Sequence, residues 1–190
     1  MNSNSHFPLL GEPVALDLVN TRVRHGGADL DLLDAPSALA TWLAAQSGRL
    51  PWSGSVSSAD LRAVRALRDA IAALLTARRT GARPRREAVK AINALLSQSS
   101  PDTRISWTSS GPRVARRAGK SKRDALLRAL AMDAVNLLTG PDAGLVRTCE
   151  HPDCVLQFLA RHPRRRWCSA SVCGNRARVA RHYVRHRIDS

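Results

Sequence analysis

Through most of the chain up to Gly140, apolar residues recur three or four positions apart, the spacing that places them on one face of an α-helix. The clearest case follows Ser57 and Asp60, which have the spacing of a capping box, a common start signal of helices. Its apolar face comprises Leu61, Val64, Leu67, Ile71, Leu74 and Leu75. The pattern therefore predicts a long amphipathic helix.

Three further segments show the same period. The first ends at Ser47-Gly48, and the third begins at a second capping pattern, Ser121 with Asp124, and ends at Gly140. Their apolar positions are, in chain order, Leu39, Trp42 and Leu43, then Val89, Ile92, Leu95 and Leu96, and finally Leu127, Leu130, Ala131, Ala134 and Leu138. The sequence thus predicts a bundle of helices.

Other stretches interrupt this pattern. Gly11 to Thr21 is a short apolar segment that we expect to be buried, and the Gly26-Gly27 pair after it predicts a loop. Ser97 to Asp102 also predicts a loop. Ile105 to Thr108 and Arg113 to Arg116 flank a Ser-Ser-Gly-Pro turn, which predicts a small β-hairpin.

Four arginines accompany the long helix, mainly off its apolar stripe: Arg65, Arg68, Arg78 and Arg79. We interpret them as a solvated face of the helix, with phosphate binding as the alternative.

The composition indicates which residues form the core and what kind of partner the protein binds. Apolar residues make up 44% and aromatic residues only 4%, so the core must consist mainly of Leu, Val and Ala. The formal net charge is +15, and nine arginines without a single Asp or Glu lie between Cys154 and Ile188. A positive potential of this kind attracts polyanions, of which nucleic acid is the commonest.

No apolar run is long enough to span a bilayer, and Met1 to Pro8 lacks the basic and apolar parts of a targeting segment. We therefore expect a soluble, cytoplasmic protein without a membrane partner. In that reducing compartment, cysteines confined to one short window indicate a metal site rather than disulfides.

The four cysteines are Cys149, Cys154, Cys168 and Cys173, and four residues separate the members of each pair. Two such knuckles supply the four thiolates that tetrahedral zinc prefers. The segment between them has few large apolar residues, so zinc would supply folding free energy. We predict one structural zinc ion. His151 or His162 replacing a cysteine, and two disulfides, are the alternatives.

Four thiolates leave no open coordination position for a reactive water, and no nucleophile, base and oxyanion donors assemble elsewhere in the sequence. We therefore predict that the protein is not an enzyme. The predicted fold is mainly α with a small β-hairpin, made of a helical N-terminal domain, residues 1–144, and a C-terminal four-cysteine zinc-finger module, residues 145–190.

Two motifs carry a family resemblance. RRWCSASVCGNRARV, from Arg165 to Val179, resembles the CGNR zinc-finger family, and LDLVNT, from Leu16 to Thr21, resembles the opening of the ABATE domain. This domain precedes the finger in bacterial proteins described as stress-induced transcription regulators. The resemblance implies zinc binding and DNA binding.

The residues after Cys173 suggest how the finger meets DNA. Asn175 is placed to cap a helix from about Arg176 to Ile188, and Gly174 suits close packing or unusual dihedral angles. One side of this helix is basic, and the other, with Ala180, Tyr183 and Val184, can pack. The predicted nucleic-acid-binding residues are Arg164, Arg165, Arg166, Arg178, Arg181, His182 and Arg185.

Other interpretations of these residues stay open. Some arginines, Arg176 first among them, could offset the net negative charge of the zinc-thiolate centre, and the rest could simply be solvated. Trp167 fits the small core of the module better than a base-stacking platform. RNA is an alternative to DNA, since attraction to phosphate does not distinguish them.

The N-terminal domain is then free to form a homodimer or to sense a small-molecule effector. Asp17, Asn20 and Thr21 lie towards the end of the buried opening segment and are candidates for a ligand pocket, although roles in capping and turn hydrogen bonds explain them better. The predicted function is a zinc-binding, DNA-binding bacterial transcription regulator. The alternative is a protein-interaction, ligand-sensing or redox-sensing module with a purely structural zinc.

Overall fold

The computed structural model describes residues 7–97, 103–108, 111–116 and 121–188. Its helices are α1 (Val14–Val19), α2 (Pro36–Ala45), α3 (Ser58–Thr80), α4 (Arg86–Ser97), α5 (Lys122–Thr139) and α6 (Cys173–Ile188), with a short 3-10 helix at Pro141–Leu145. The strands are β1 (Arg22–His25), β2 (Ala28–Asp31), β3 (Thr103–Thr108), β4 (Gly111–Arg116), β5 (Val146–Thr148) and β6 (Gln157–Leu159). The predicted fold class is confirmed.

The core lies between α1, α3 and α5. Every residue of α1 is buried, which confirms the predicted buried opening segment, and α1 packs against both longer helices. The predicted apolar faces supply most of the rest, including the fully buried Leu39, Trp42, Ile71 and Leu130. The helical period therefore identifies most of the buried residues; Val89 is an exception, since it is 39% exposed.

The capping box before α3 is complete. The Ser57 side chain accepts a hydrogen bond from the Asp60 N–H, and the Asp60 carboxylate accepts one from the Ser57 N–H. The same carboxylate binds Arg123 of α5, so it also ties the two longest helices together. At the second pattern, the Ser121 hydroxyl accepts the Asp124 N–H at 3.3 Å.

α1 begins with its N–H groups near α5. The Asp133 carboxylate of α5 accepts a hydrogen bond of 2.7 Å from the Ala15 N–H. A carboxylate at a helix N-terminus satisfies a free donor and stabilises the helix dipole. This contact compensates for Pro13, which precedes α1 and offers no capping side chain.

The predicted hairpin is confirmed as the antiparallel pair β3 and β4. Residues 109–110 of its turn and residues 98–102 of the predicted Ser97 to Asp102 loop lie outside the described residues. The loop predicted after Thr21 is wrong, because β1 and β2 form a second hairpin. Gly26 and Gly27 have φ angles of +58° and +79°, which makes them the two-residue turn that joins antiparallel strands.

Arg68 also differs from its prediction as part of a solvated face. Its side chain is only 1% exposed and makes two hydrogen bonds, of 2.6 and 2.7 Å, to the Asp31 carboxylate. It also donates to the Thr21 hydroxyl. The position lies at the edge of the apolar stripe, and a guanidinium fits there because its full charge is paired.

β5 and β6 form a short antiparallel pair just after the 3-10 helix. Val146 and Leu159 of this pair belong to the large core shared with α1, α3 and α5. Residues on the C-terminal side of position 145 therefore contribute directly to the core of the helical part.

None of the helices in the described ranges has the length and apolar character needed to cross a membrane.

Candidate metal centre and nucleic-acid interface

The four cysteines converge at the end of the β5–β6 pair. Cys149 directly follows β5, Cys154 precedes β6, Cys168 lies in the following loop, and Cys173 is the first residue of α6. All four sulfur atoms lie within 4.8 Å of one another, and all but Cys154 are buried. This is the one cluster of three or more metal-binding side chains in the described part of the chain.

The sulfur spacing fits zinc. The distances from Cys168 Sγ are 3.8 Å to Cys154 Sγ and 3.6 Å to Cys173 Sγ. Bonds of about 2.3 Å from a tetrahedral zinc place its sulfur ligands about 3.8 Å apart, whereas a disulfide needs about 2.05 Å. The distances therefore support the prediction that these four cysteines bind one zinc ion. Neither disulfides nor a histidine ligand is needed.

The backbone is arranged around the sulfurs as a metal site requires. The Cys168 N–H donates to Cys149 Sγ at 3.4 Å. The Cys149 N–H donates to the Leu156 carbonyl at 2.9 Å and so closes the first knuckle. The amide that donates to Cys149 Sγ orients this sulfur and stabilises it as a thiolate.

The electrostatics show why a cation belongs here. A hydrogen bond from Cys168 and a smaller contribution from the Leu156 N–H lower the pKa of Cys154 to about 5. By contrast, sharing its proton with Cys154 raises the pKa of Cys168, and burial raises that of Cys173 to about 12. Without a cation, ionisation of Cys154 therefore opposes ionisation of Cys168 and Cys173. A bound zinc ion would supply the positive charge needed to keep all four cysteines ionised.

The cysteines share a small core with residues from both ends of the chain. Leu156 and Phe158 are buried against them, and Trp167, Leu10 and Val23 pack around the edge. The expectation that this segment cannot bury a core by itself is consistent with the structure, since Leu10 and Val23 come from the N-terminal part. Trp167 lies in this core, as favoured from the sequence.

Gly174 is explained by close packing. A Cβ at this position would lie 3.0 Å from Trp167 Cδ1, so any side chain would push the indole aside. The other reason considered, an unusual dihedral angle, does not apply, because Gly174 is not among the described glycines with positive φ.

The predicted Asn175 cap is wrong, because α6 begins at Cys173 and Asn175 lies inside its first turn. The residue that serves the start of α6 is Ser169. Its hydroxyl accepts the Val172 N–H at 3.3 Å, and its carbonyl accepts the Gly174 N–H at 3.0 Å. The helix therefore starts earlier than expected, and its first residue is a metal ligand.

Beyond its first turn, α6 projects from the molecule. Arg178, Arg181 and Arg185 are exposed on one side, as predicted, and none of them forms an ion pair with an acid in the described part of the chain. His182 is also exposed and stacks edge-on with Tyr183. The expected packing of the other side is not observed, since Tyr183 is 69% and Val184 60% exposed.

The three arginines before Trp167 have different environments. Arg164 is exposed, and Arg166 pairs at the surface with Glu150 while its guanidinium lies 5.3 Å from the Trp167 ring. Arg165 instead turns inward: it binds the carbonyls of Leu159 and Cys168 at 3.0 Å each. Arg165 therefore holds the metal loop together.

A cleft of about 360 Å³ separates the first knuckle from α6. His151 of the first knuckle, Arg166 and Trp167 line it together with Arg181 of α6. The cleft thus brings Arg166 next to Arg181 on the basic side of α6.

The candidate ligand-pocket residues are buried and engaged with the protein. Asp17 binds Arg49 at 2.7 Å and also accepts from Gln46. The Thr21 hydroxyl donates to the Leu18 carbonyl at 2.7 Å. Asn20 bonds to Gln157 of β6, 137 positions away. The sequence interpretation as capping and turn residues accounts for Thr21, but the partners of Asp17 and Asn20 were not foreseen.

Two family models match the chain in order. The ABATE model, described as "Putative stress-induced transcription regulator", matches residues 12–141. The CGNR zinc finger model matches residues 146–186 and so includes all four cysteines. No protein with a curated description matches the chain. Both models describe regulators or zinc fingers rather than enzymes.

Proposed function

Because the chain belongs to the ABATE family and carries a CGNR zinc finger, we propose that it is a DNA-binding transcription regulator whose DNA contacts centre on α6. The observation that carries this proposal is the exposed, acid-free basic side of α6. We place the activity in the bacterial cytoplasm, where thiols stay reduced and available for zinc.

The shape and charge of α6 support the proposal. Its 16 residues make a rod about 24 Å long, and such a helix fits the major groove of DNA. Arg178, Arg181 and Arg185 recur three and four positions apart, so their guanidinium groups can follow the phosphates along one groove wall.

The metal centre supports this role by rigidity. Cys173 belongs to the cysteine cluster and is the first residue of α6, so a zinc ion held there would fix the direction in which the helix leaves the molecule. Arg166 lines the cleft beside α6, and the exposed Arg164 lies two positions before it in the chain, so both extend the basic surface. We leave Arg165 out of the DNA-binding set, because its guanidinium is committed to the protein.

The test is fluorescence anisotropy with labelled duplex DNA over a range of salt concentrations. The zinc-loaded triple variant Arg178→Ala, Arg181→Ala and Arg185→Ala should bind more weakly. The slope of log K against log salt should fall by about 2.7, since each lost phosphate contact contributes about 0.9. Unchanged affinity in a variant that retains zinc would refute the proposal.

A matched control removes the same charge elsewhere. Arg78, Arg79 and Arg83 are exposed near the end of α3, and their triple alanine variant should keep nearly the full salt slope. Equal losses in the two variants would mean that net charge alone drives binding. Duplex RNA of the same sequence, tested in parallel, distinguishes the two nucleic acids.

A protein-interaction module is the second candidate, favoured by the exposed apolar side chains of Val179, Tyr183 and Val184 on α6. Singly exposed apolar residues are common, but three on one helix suggest a partner surface. The variant Tyr183→Ala with Val184→Ala distinguishes the candidates. A DNA-reading helix should keep most of its salt-dependent affinity in this variant, whereas a protein-binding helix should lose its partner.

A further inference from the structure

The finger, defined here as residues 146–186, is hydrogen bonded to the N-terminal part of the chain at points far apart in sequence. Two of these points lie on either side of Cys154: Asp153 directly before it and Gln157 three positions after it. Cys154 is also the least buried of the four zinc ligands. The contacts therefore flank the most exposed of the four cysteines.

Asn20 makes the first contact. Its side-chain amide donates to the Gln157 carbonyl at 2.9 Å, and its oxygen accepts the Gln157 N–H at 2.8 Å. Both groups of the amide are used, as when one strand pairs with another. Asn20 is 1% exposed, so its side of these bonds is shielded from water.

The Gly26-Gly27 turn makes the second contact. The Gly26 and Gly27 N–H groups each donate to one oxygen of the Asp153 carboxylate, both at 2.9 Å. Successive N–H groups at positive φ form a concave donor site that suits a carboxylate. Residues with side chains rarely adopt these angles, which explains the two glycines.

Further contacts reinforce the same face. Glu12 pairs with Arg165 of the finger at 3.1 Å and is itself 5% exposed. Leu10 and Val23 pack against the cysteine cluster. The finger thus rests on a continuous surface of polar and apolar groups.

We propose that Asn20 and the Gly26-Gly27 turn form a receptor for the finger, which makes Asn20 a positioning residue for the zinc centre. The receptor holds the loop that carries Cys154 in the geometry that zinc requires. The N-terminal domain thereby contributes to metal retention and to the direction of α6. This role is independent of whether α6 binds DNA.

The test measures zinc release from the full chain to a coloured chelator, 4-(2-pyridylazo)resorcinol. The Asn20→Ala variant should release zinc roughly tenfold faster or more, the range typical of lost contacts around metal ligands. The Asn93→Ala variant is the control, because Asn93 is exposed on α4 and should release zinc at the wild-type rate. Wild-type release from a folded Asn20→Ala variant would overturn the proposal.

Two additional measurements separate positioning from simple space filling. The Asn20→Asp variant has nearly the same shape but lacks the donor to the Gln157 carbonyl, so it should also release zinc faster; a wild-type rate would point to packing alone. The cobalt-loaded Asn20→Ala variant should keep the absorption of a tetrathiolate site. Loss of that spectrum would show that Asn20 determines the ligand set itself, contrary to the proposal.

The Asp153→Ala variant tests the same receptor from the finger side. It keeps the proposal testable if substitutions at the buried Asn20 prevent folding. This variant removes the carboxylate from the Gly26-Gly27 turn without altering the helical core. It should accelerate zinc release, whereas the exposed-site control Asp34→Ala should not. Equal release rates for both aspartate variants would contradict a receptor role for the turn.

Discussion

Replacing Arg165 by alanine is expected to destabilise the protein, whereas the same change at the adjacent Arg164 is not. The two arginines share a basic cluster in the sequence but differ in their contacts. Arg165 donates to the Leu159 and Cys168 carbonyls, pairs with Glu12 and lies 4.5 Å from the centre of the Phe158 ring. Arg164 is exposed.

The size of the effect follows from the pairing of Glu12. Alanine at position 165 leaves that carboxylate, 5% exposed, without its guanidinium partner. Removing one member of a buried pair typically costs about 3–5 kcal/mol. Because Arg165 is 32% exposed, we expect the lower end of this range, about 3 kcal/mol. Arg164→Ala should stay within about 0.5 kcal/mol of the wild type, as surface changes usually do.

Urea unfolding of the zinc-loaded proteins, followed by far-UV circular dichroism, measures both values. Arg165→Lys should fall between wild type and alanine, since it keeps the charge but loses the planar fork that reaches two carbonyls. Arg164→Ala should instead weaken DNA binding. Equal stabilities of the Arg164 and Arg165 variants would refute the assignment of Arg165 as a structural residue.

Three further predictions concern the core, the capping box and the metal. Leu130→Ala should lower the free energy of unfolding by about 2–5 kcal/mol in urea titrations, because Leu130 is fully buried on α5. Asp60→Asn should cost about 1–2 kcal/mol at neutral pH, as loss of a helix cap does. Despite burial, hydrogen bonds from Ser57 and Arg123 lower the pKa of Asp60 to about 2. The stability that the Asp60 carboxylate adds is therefore complete above about pH 4 and is lost as the pH falls towards 2. The free energies of unfolding of the wild type and Asp60→Asn should become equal across that range. Removing zinc with a strong chelator should increase hydrogen exchange in α6 and the cysteine loops while α3 and α5 stay protected, as exchange measured by mass spectrometry would show.

Local signals in the sequence were sufficient to predict the cysteine cluster and the helices α2 to α5, but not the helical form of α1 or the start of α6. The equal spacing of the two cysteine pairs determines a tetrahedral site through short loops alone, and the apolar period of α3 determines both its length and its buried side. The capping box at Ser57 and Asp60 determines where α3 starts. Each of these depends on residues a few positions apart, so sequence reasoning could reach them.

Long-range pairing accounts for most of what was missed. Nothing near Asn20 indicates a partner at Gln157, and nothing near Asp153 indicates the Gly26-Gly27 turn. Arg68 resembles any surface arginine until Asp31 is placed beside it. The hairpin at Gly26-Gly27 was predictable from the local sequence, because two adjacent glycines between short polar and apolar segments also fit a hairpin turn.

The placement of Val146 and Leu159 in the large core bears on how this protein can be dissected. A fragment ending at residue 145 would lose two side chains that together bury apolar surface worth about 3–6 kcal/mol, and a transplanted finger would expose them to water. Any loss of function in a truncated protein would therefore reflect unfolding of the remaining fragment as much as the absence of the removed residues. Point substitutions in the intact chain avoid this problem. A finger moved to another protein would need an apolar surface there against which Val146 and Leu159 can pack.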